Sequence, residues 1–342
     1  MRRLLNRLPR DKAAVNLDGA ILLGKTISCD GFDRGRRASV ITHIHQDHIA
    51  GFDRLLGYCE PLLMTHATRD LIIALKGDYL KLRRNLLGAD YGRAIDVDDE
   101  KVTLLRCDHI LGSCQVLVED AEGSRILYSS DFDSTTTPPK SDILVVDGTY
   151  GDPDYVFSHS RCQLENKLVE IVIDEVKNDR PVVLVSRRGK LQELMHTMRN
   201  HLTIPFLAAP IDAKLAQVYE RYGRKIGECF SSVSREACTI ISSHKPFVGF
   251  FPIGSALKET RETRCTKIRV SAYGMKDPFV KIPDDGYVFA ISDHADFNGI
   301  LEYVKQSDPE IVIVDSVRSG NASELAEQIH NRYPNIAALP MP

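Results

Sequence analysis

The sequence predicts an α/β fold in two domains. Short β-branched runs recur along it, each about the length of a buried strand. They are Ala38–Thr42, Arg125–Ser129, Asp142–Val146, Pro181–Val185, Thr239–Ile241, Tyr287–Ile291 and Glu310–Val314. Helical periodicity lies between many of them. Leu164–Lys177 sets Leu168, Ile171, Val172 and Val176 near helical spacing, and Leu191–Leu202, Ala213–Tyr222 and Ser323–Arg332 behave alike. Strands alternating with helices build α/β layers. The 342 residues suit two domains at roughly 100–200 residues each.

Composition narrows the function. A hydrophobic content of 43% supports sizeable cores and excludes a mainly disordered chain. The net charge of −3 excludes a histone-like protein that grips phosphates by bulk charge, although a local basic groove stays open. No apolar run reaches the ~18–20 residues that span a bilayer. The basic start, Met1–Lys12, lacks the ~7–15-residue apolar core of a signal peptide. A cytoplasmic protein without a membrane partner is expected. The 8 cysteines include no Cys-x-x-Cys pair. They read as reduced thiols, and a cysteine-based zinc knuckle is excluded.

Polar residues recur just past the apolar runs. His43 follows Ala38–Thr42, Asp131 follows Arg125–Ser129, Asp147 follows Asp142–Val146, and Asp293-His294 follows Tyr287–Ile291. In α/β folds sites gather beyond the carboxyl ends of strands, so one shared site is expected. The sharpest segment is Thr42-His43-Ile44-His45-Gln46-Asp47-His48. His43 and His45, two apart on a strand end, would share one face. Asp47 and His48 fall in the turn before an expected helix, Ile49–Leu56. Clustered imidazoles suit zinc, and the Asp-His pair suits a second metal or a metal-bound water. His109 and Asp131 supply further ligands. A carboxylate such as Asp131 can bridge two dications and offset their charge.

In that order Asp30, the His43–His48 cluster, His109 and Asp131 resemble the opening motifs of the metallo-β-lactamase fold. The resemblance implies an αββα sandwich with a di-metal site at the edge of its sheets, in a family mostly of hydrolases. Asp147, in Val145–Pro153, and His294, in Ile291–Phe297, resemble the first and second motifs of the β-CASP branch, whose members are nucleases. Ser186–Leu194 looks like the glycine-basic-x-Gln-Glu segment of its inserted domain. The implied division is 1–150 and 285–342 for the metallo-β-lactamase domain, with an α/β β-CASP insert at 151–284. The third-motif histidine is missing from Asp315-Ser316-Val317-Arg318-Ser319-Gly320. Artemis-type DNA nucleases are similar in this, and Val317 aligns with their valine. Asp147–Tyr155 and Ser28–Phe32 also resemble that group, whereas Asp293–Phe297 is more similar to archaeal and bacterial RNA-processing members. The expected substrate is DNA before RNA, cut by an exonuclease of repair type with 5′-end preference.

The resemblance implies roles. His43, His45, His109 and Asp131 would hold a firmly bound zinc. Asp47, His48 and shared Asp131 would hold a weaker second ion, zinc, manganese or magnesium. Asp47 would also orient or deprotonate the attacking water. His294 would be the general acid, since imidazole titrates near neutral pH. Asp147 would orient His294 or a ligand imidazole. Asp30 is either a brace for the His43–His48 loop or an ordinary turn aspartate. Arg187, Arg188, Gly189 and Lys190, at a helix start, would bind a phosphate or simply face solvent. Lys258–Arg269, with five basic and two acidic residues, reads as a strand-tracking groove or a solvated face. Arg34, Arg36 and Arg37 precede the strand leading to His43 and would reach substrate. Phe247, Phe250 and Phe251 read as core. A β-CASP ribonuclease, a small-molecule hydrolase and an inactive nucleic-acid-binding subunit are the alternatives.

Overall fold

A computed structural model describes residues 12–255, 265–271, 277–283, 286–318 and 320–342. The basic start up to residue 11, part of the Lys258–Arg269 run and Ser319 lie outside the described residues. The described residues form three sheets. The first runs in chain order through β1 (Ala13–Val15), β2 (Ile21–Leu23), β3 (Ile27–Cys29), β4 (Ala38–Val40), β5 (Leu62–Thr65) and β6 (Leu86–Ala89). It begins as an antiparallel meander and becomes parallel from β3 onward. The second starts with β7 (Ala94–Val97), β8 (Glu100–Arg106), β9 (Cys114–Glu119) and β10 (Arg125–Tyr128), all antiparallel, and then adds β11 (Ile143–Val146) parallel to β10.

The third sheet comprises β12 (Val182–Ser186), β13 (Phe206–Ala208), β14 (Cys229–Ser231), β15 (Val248–Pro252), β16 (Thr266–Ser271), β17 (Phe279–Ile282) and β18 (Gly286–Ala290), in the order β14-β13-β15-β12-β16-β18-β17. Afterwards β19 (Ile311–Asp315) and β20 (Ala337–Met341) complete the second sheet beside β11. The sequence patterns explain these places. Every residue of β11 is buried, as expected of an apolar run flanked by parallel neighbours. By contrast β8 alternates buried and more exposed residues, as a strand with one solvated face does.

The first and second sheets share one core. Ile21, Ile27, Val40 and Leu63 meet Val102, Val116, Ile126 and Val145 there. Two sheets facing across an apolar layer make a sandwich. Two compact units result: Met1–Ile72 with Asp78–Val156 and His294–Pro342, and Ile73–Gly77 with Phe157–Asp293. The chain leaves the first unit at Phe157 and returns at His294, later than the 151 and 285 read from the sequence. Strand β18 accounts for the second shift, because it pairs with β16 in the third sheet.

Helices occupy Phe52–Tyr58, Arg161–Lys177, Lys190–Arg199, Pro210–Arg221 and Ala322–Arg332, close to where periodicity put them. Ser160 opens Arg161–Lys177 with a capping box to Gln163. Thr239–Ile241 departs from expectation, since it lies inside a helix, Arg235–Ser242. Ser234 caps that helix by accepting from Ala237 N, and Ile240 and Ile241 pack onto Leu207 and Phe247. Local capping outweighed β-branched content there. Phe247, Phe250 and Phe251 are buried, as read. Among the described residues no helix is long and apolar enough to cross a membrane.

Candidate metal centre

Asp30, His43, His45, Asp47, His48, His109, Asp131, Asp147 and His294 all belong to the first unit. Strand β4 ends at Val40, so His43 and His45 sit in the loop beyond it rather than on the strand. Asp131 lies just past β10, after Ser130 in the left-handed region (φ 56°). His109 sits in the turn after β8. That turn depends on Gly112, whose φ is 85° and whose carbonyl accepts the hydroxyls of Thr65 (2.7 Å) and Thr68 (2.8 Å). A Cβ at Gly112 would lie 2.6 Å from Thr68 Oγ1 and 2.7 Å from Thr68 N, so a side chain would break this approach.

Four donor atoms converge. His45 Nδ1 is 3.1 Å from His43 Nε2 and 3.0 Å from His109 Nε2. Asp131 Oδ2 is 3.5 Å from His43 Nε2 and 3.6 Å from His109 Nε2. A tetrahedron built on ~2.1 Å bonds has edges of ~3.4 Å, which these separations approach. Three imidazoles and one carboxylate suit zinc or another borderline dication. The four residues expected to hold the first metal are thus brought together.

Asp30 sets the imidazoles. Its carboxylate accepts from Thr42 N (2.8 Å), Thr42 Oγ1 (2.6 Å), His48 Nδ1 (2.7 Å) and Tyr128 Oη (3.2 Å). Since the Thr42 hydroxyl donates to Asp30, its oxygen is left to accept from His43 Nδ1, 3.1 Å away. That leaves the His43 Nε2 lone pair facing the other donors. Asp30, at a φ of 53°, thus hydrogen-bonds both ends of the Thr42–His48 segment.

Electrostatics follow the geometry. Burial pushes His43 and His109 well below the usual histidine range, and neighbouring imidazoles add to the shift. Both stay neutral, as metal ligation requires. For Asp131, burial opposes ionisation, but His48 and His294 outweigh it and hold the carboxyl well below its usual range. For His48, burial is likewise outweighed, here by Asp131 and Asp30, and its pKa is raised to about 10 in the metal-free protein.

The second ligand set is only partly assembled. His48 Nε2 is fully buried, lies 3.3 Å from Asp131 Oδ1 and makes no hydrogen bond. A buried nitrogen in that state is a fitting metal ligand. Asp47 stands off, with 48% of its side chain exposed and Oδ2 3.8 Å from His48 Nε2. Val317 is exposed at 36%, and it offers no donor. A further grouping joins Asp131, Asp147 and His294. Asp147 Oδ2 lies 3.0 Å from His294 Nδ1, and His294 Nε2 lies 3.7 Å from Asp131 Oδ2.

The expected phosphate grip is placed differently. Lys190 is buried within the second unit, and its Nζ is 2.5 Å from Asp293 Oδ1. Arg188 Nε lies 3.2 Å from Asp212 Oδ1, and Gly189 N donates to Gln192 Oε1. Buried Asp293 draws Lys190 inward, because an uncompensated buried carboxylate is costly, whereas Arg188 pairs with Asp212 from an exposed position. Arg187 stays exposed. In the first unit Arg36 donates to Gly24 O and Arg37 pairs with Asp98. Sequence reading missed Thr42, Tyr128, Gly112 and Arg318. Only Gly112, in a turn right after His109, gave a local signal.

No family model matches the chain. A protein of Acidianus ambivalens, described as uncharacterized and encoded in the lig 3′ region, is 32% identical over 148 residues, which are 99% of it and 40% of this chain. The chain belongs to that protein's family. A probable DNA ligase of Opitutus terrae is 25% identical over 305 residues, 87% of this chain and 28% of the ligase. The transcription termination factor FttA of Pyrococcus abyssi is 27% identical over 207 residues, 51% of this chain and 32% of the factor. Ribonuclease TTHA0252 of Thermus thermophilus is 24% identical over 226 residues, 58% of this chain and 52% of the ribonuclease. The chain therefore spans about half or less of these three relatives. Together they point to the β-CASP metallo-β-lactamase family and to nucleic-acid processing. A crystal structure of a protein of unknown function from Enterococcus faecalis shares the fold, with a TM-score of 0.61 at 12% identity over 89% of this chain and 92% of that one.

Proposed function

We propose that the chain is a metal-dependent nuclease that hydrolyses DNA from its ends, built as a metallo-β-lactamase sandwich with a β-CASP insert. The observation that carries this is the convergence of His43, His45, His109 and Asp131 within 4.8 Å of one another. When bound there, zinc supplies Lewis-acid polarisation of a phosphoryl oxygen and lowers the pKa of water. Asp131 offsets the dication's charge with its own. His48, Asp47 and the shared Asp131 would hold a second, weaker ion, zinc, manganese or magnesium. Exposed Asp47 is free to reach solvent, orient the attacking water and take its proton. His294 gives a proton to the leaving oxygen, and Asp147 holds its Nδ1–H.

The choice of DNA rests on the relative that matches 87% of this chain, a probable DNA ligase, and on the lig 3′ region relative. A nuclease that works with a ligase would trim ends before they are sealed. The Artemis-type resemblance at Val317 supports the same substrate and a 5′-end preference. RNA is the second reading, because the ribonuclease relative matches 58% of the chain. The test uses single-stranded DNA and RNA of one sequence, labelled at the 5′ or the 3′ end, with zinc or manganese. Faster loss of DNA with early release of the 5′ label is expected. Cleavage of RNA alone would move the protein to RNA processing.

A further inference from the structure

Arg318 is a buried cation outside the donor set described above. It follows β19, and its side chain is 8% exposed. Its two terminal nitrogens are matched, while Nε, also buried, finds no hydrogen-bond partner. Its Nη1 lies 2.6 Å from Asp315 Oδ2. Its Nη2 donates to Gly19 O at 2.8 Å and to Asp30 O at 3.1 Å. One side chain thus joins the end of β19, the β1–β2 turn and the residue after β3.

Asp30 needs such an anchor. Its φ of 53° is left-handed, a conformation that a non-glycine residue keeps only where its surroundings enforce it. Packing restrains the next residue too, since a Cβ at Gly31 would lie 2.6 Å from Ala20 Cα. The Asp30 carboxylate holds Thr42, His48 and, through Thr42, His43. A shift of the Asp30 carbonyl would therefore move the His48 imidazole.

We propose that Arg318 is a positioning residue for His48, acting through the main chain of Asp30. The inference rests on the reading of His48 as a metal-side ligand, but its test needs neither metal nor substrate. The readout is solvent exchange of the His48 Nδ1–H, followed by NMR in metal-free protein carrying ¹⁵N-histidine. Arg318→Met should speed that exchange at least tenfold while the other histidine signals and the circular dichroism stay as in the parent protein. Arg318→Lys keeps the charge opposite Asp315 but has a single nitrogen for three acceptors, so exchange should be intermediate. Unchanged exchange in Arg318→Met overturns the proposal. Loss of the fold in both variants overturns it as well, because Arg318 would then be a general stabiliser. If His48 responds but no nucleic acid is cut, the nuclease reading fails and the positioning role stands.

Discussion

Asp147 Oδ2 lies 3.0 Å from His294 Nδ1. A carboxylate only accepts, so Nδ1 carries the proton and Nε2 turns towards Asp131, 3.7 Å away. If that pair moves a proton, His294→Ala should lower kcat by about 10²–10³. Asp147→Asn should lower it by about tenfold. Bound zinc, measured by elemental analysis, should stay at the parent level in both. Loss of zinc in either variant would make these residues metal ligands instead.

Asp30 accepts four hydrogen bonds with two oxygens. Asn in its place keeps one acceptor oxygen and no charge. Asp30→Asn should weaken the second metal about 10–100-fold and the first, reached only through Thr42 and His43, less. Titration with zinc against a competing chelator separates the two events. Equal weakening of both sites would show that Asp30 supports the loop as a whole.

Metal-free protein should be most stable near pH ~6.5. His48 is raised to about 10, so its contribution is full below ~6.5 and fades as pH climbs to about 10. His43 and His109 are lowered, so theirs is full above ~6.5 and fades as pH falls below it. Asp131, also lowered, adds stability that is full above its usual range and fades as pH falls below it. Metal must displace the proton on His48, so loading the protein should flatten the alkaline side. Thermal melts from pH 5 to 10, with and without zinc, read both limbs. A metal-free melt that keeps rising to about pH 10 would contradict the His48 assignment.

Gly112→Ala should cost about 1–3 kcal/mol, from left-handed strain and collision with Thr68. Gly123 has the same φ of 85° but open space around it. Gly123→Ala should therefore cost only the conformational part, about 1 kcal/mol. Urea unfolding compares them, and equal losses would remove Thr68 from the explanation.

Lys190→Ala should destabilise by about 3 kcal/mol, because it leaves buried Asp293 with less compensation. Arg161 Nη1, 3.2 Å from the same oxygen, limits the loss. The expected signature is a lower melting temperature with little change in DNA affinity for the folded protein. A selective fall in affinity would restore the phosphate reading of Lys190.

The His/Asp cluster was legible because its residues sit in short segments that follow strands. His43, His45 and His48 are clustered within six residues, and Asp131 follows an apolar run directly. What holds them was not legible. Asp30 reaches His48 across 18 residues and Tyr128 across 98, and no local pattern encodes such pairings. Lys190 looked like an anion binder because its partner, Asp293, is 103 residues away. Thr239–Ile241 looked like a strand because three residues cannot reveal the cap at Ser234. The sheet runs fared better, since burial on both faces writes itself as continuous apolar sequence, as in Ile143–Val146.

The most direct test of the central claim is chelation and reconstitution with one labelled DNA strand. Parent protein should lose cleavage with chelator and regain it with zinc or manganese. Asp131→Asn, assayed alongside with its fold checked by circular dichroism, should stay inactive at every metal concentration. Cleavage that survives chelation, or an Asp131→Asn variant as active as the parent, would contradict the account.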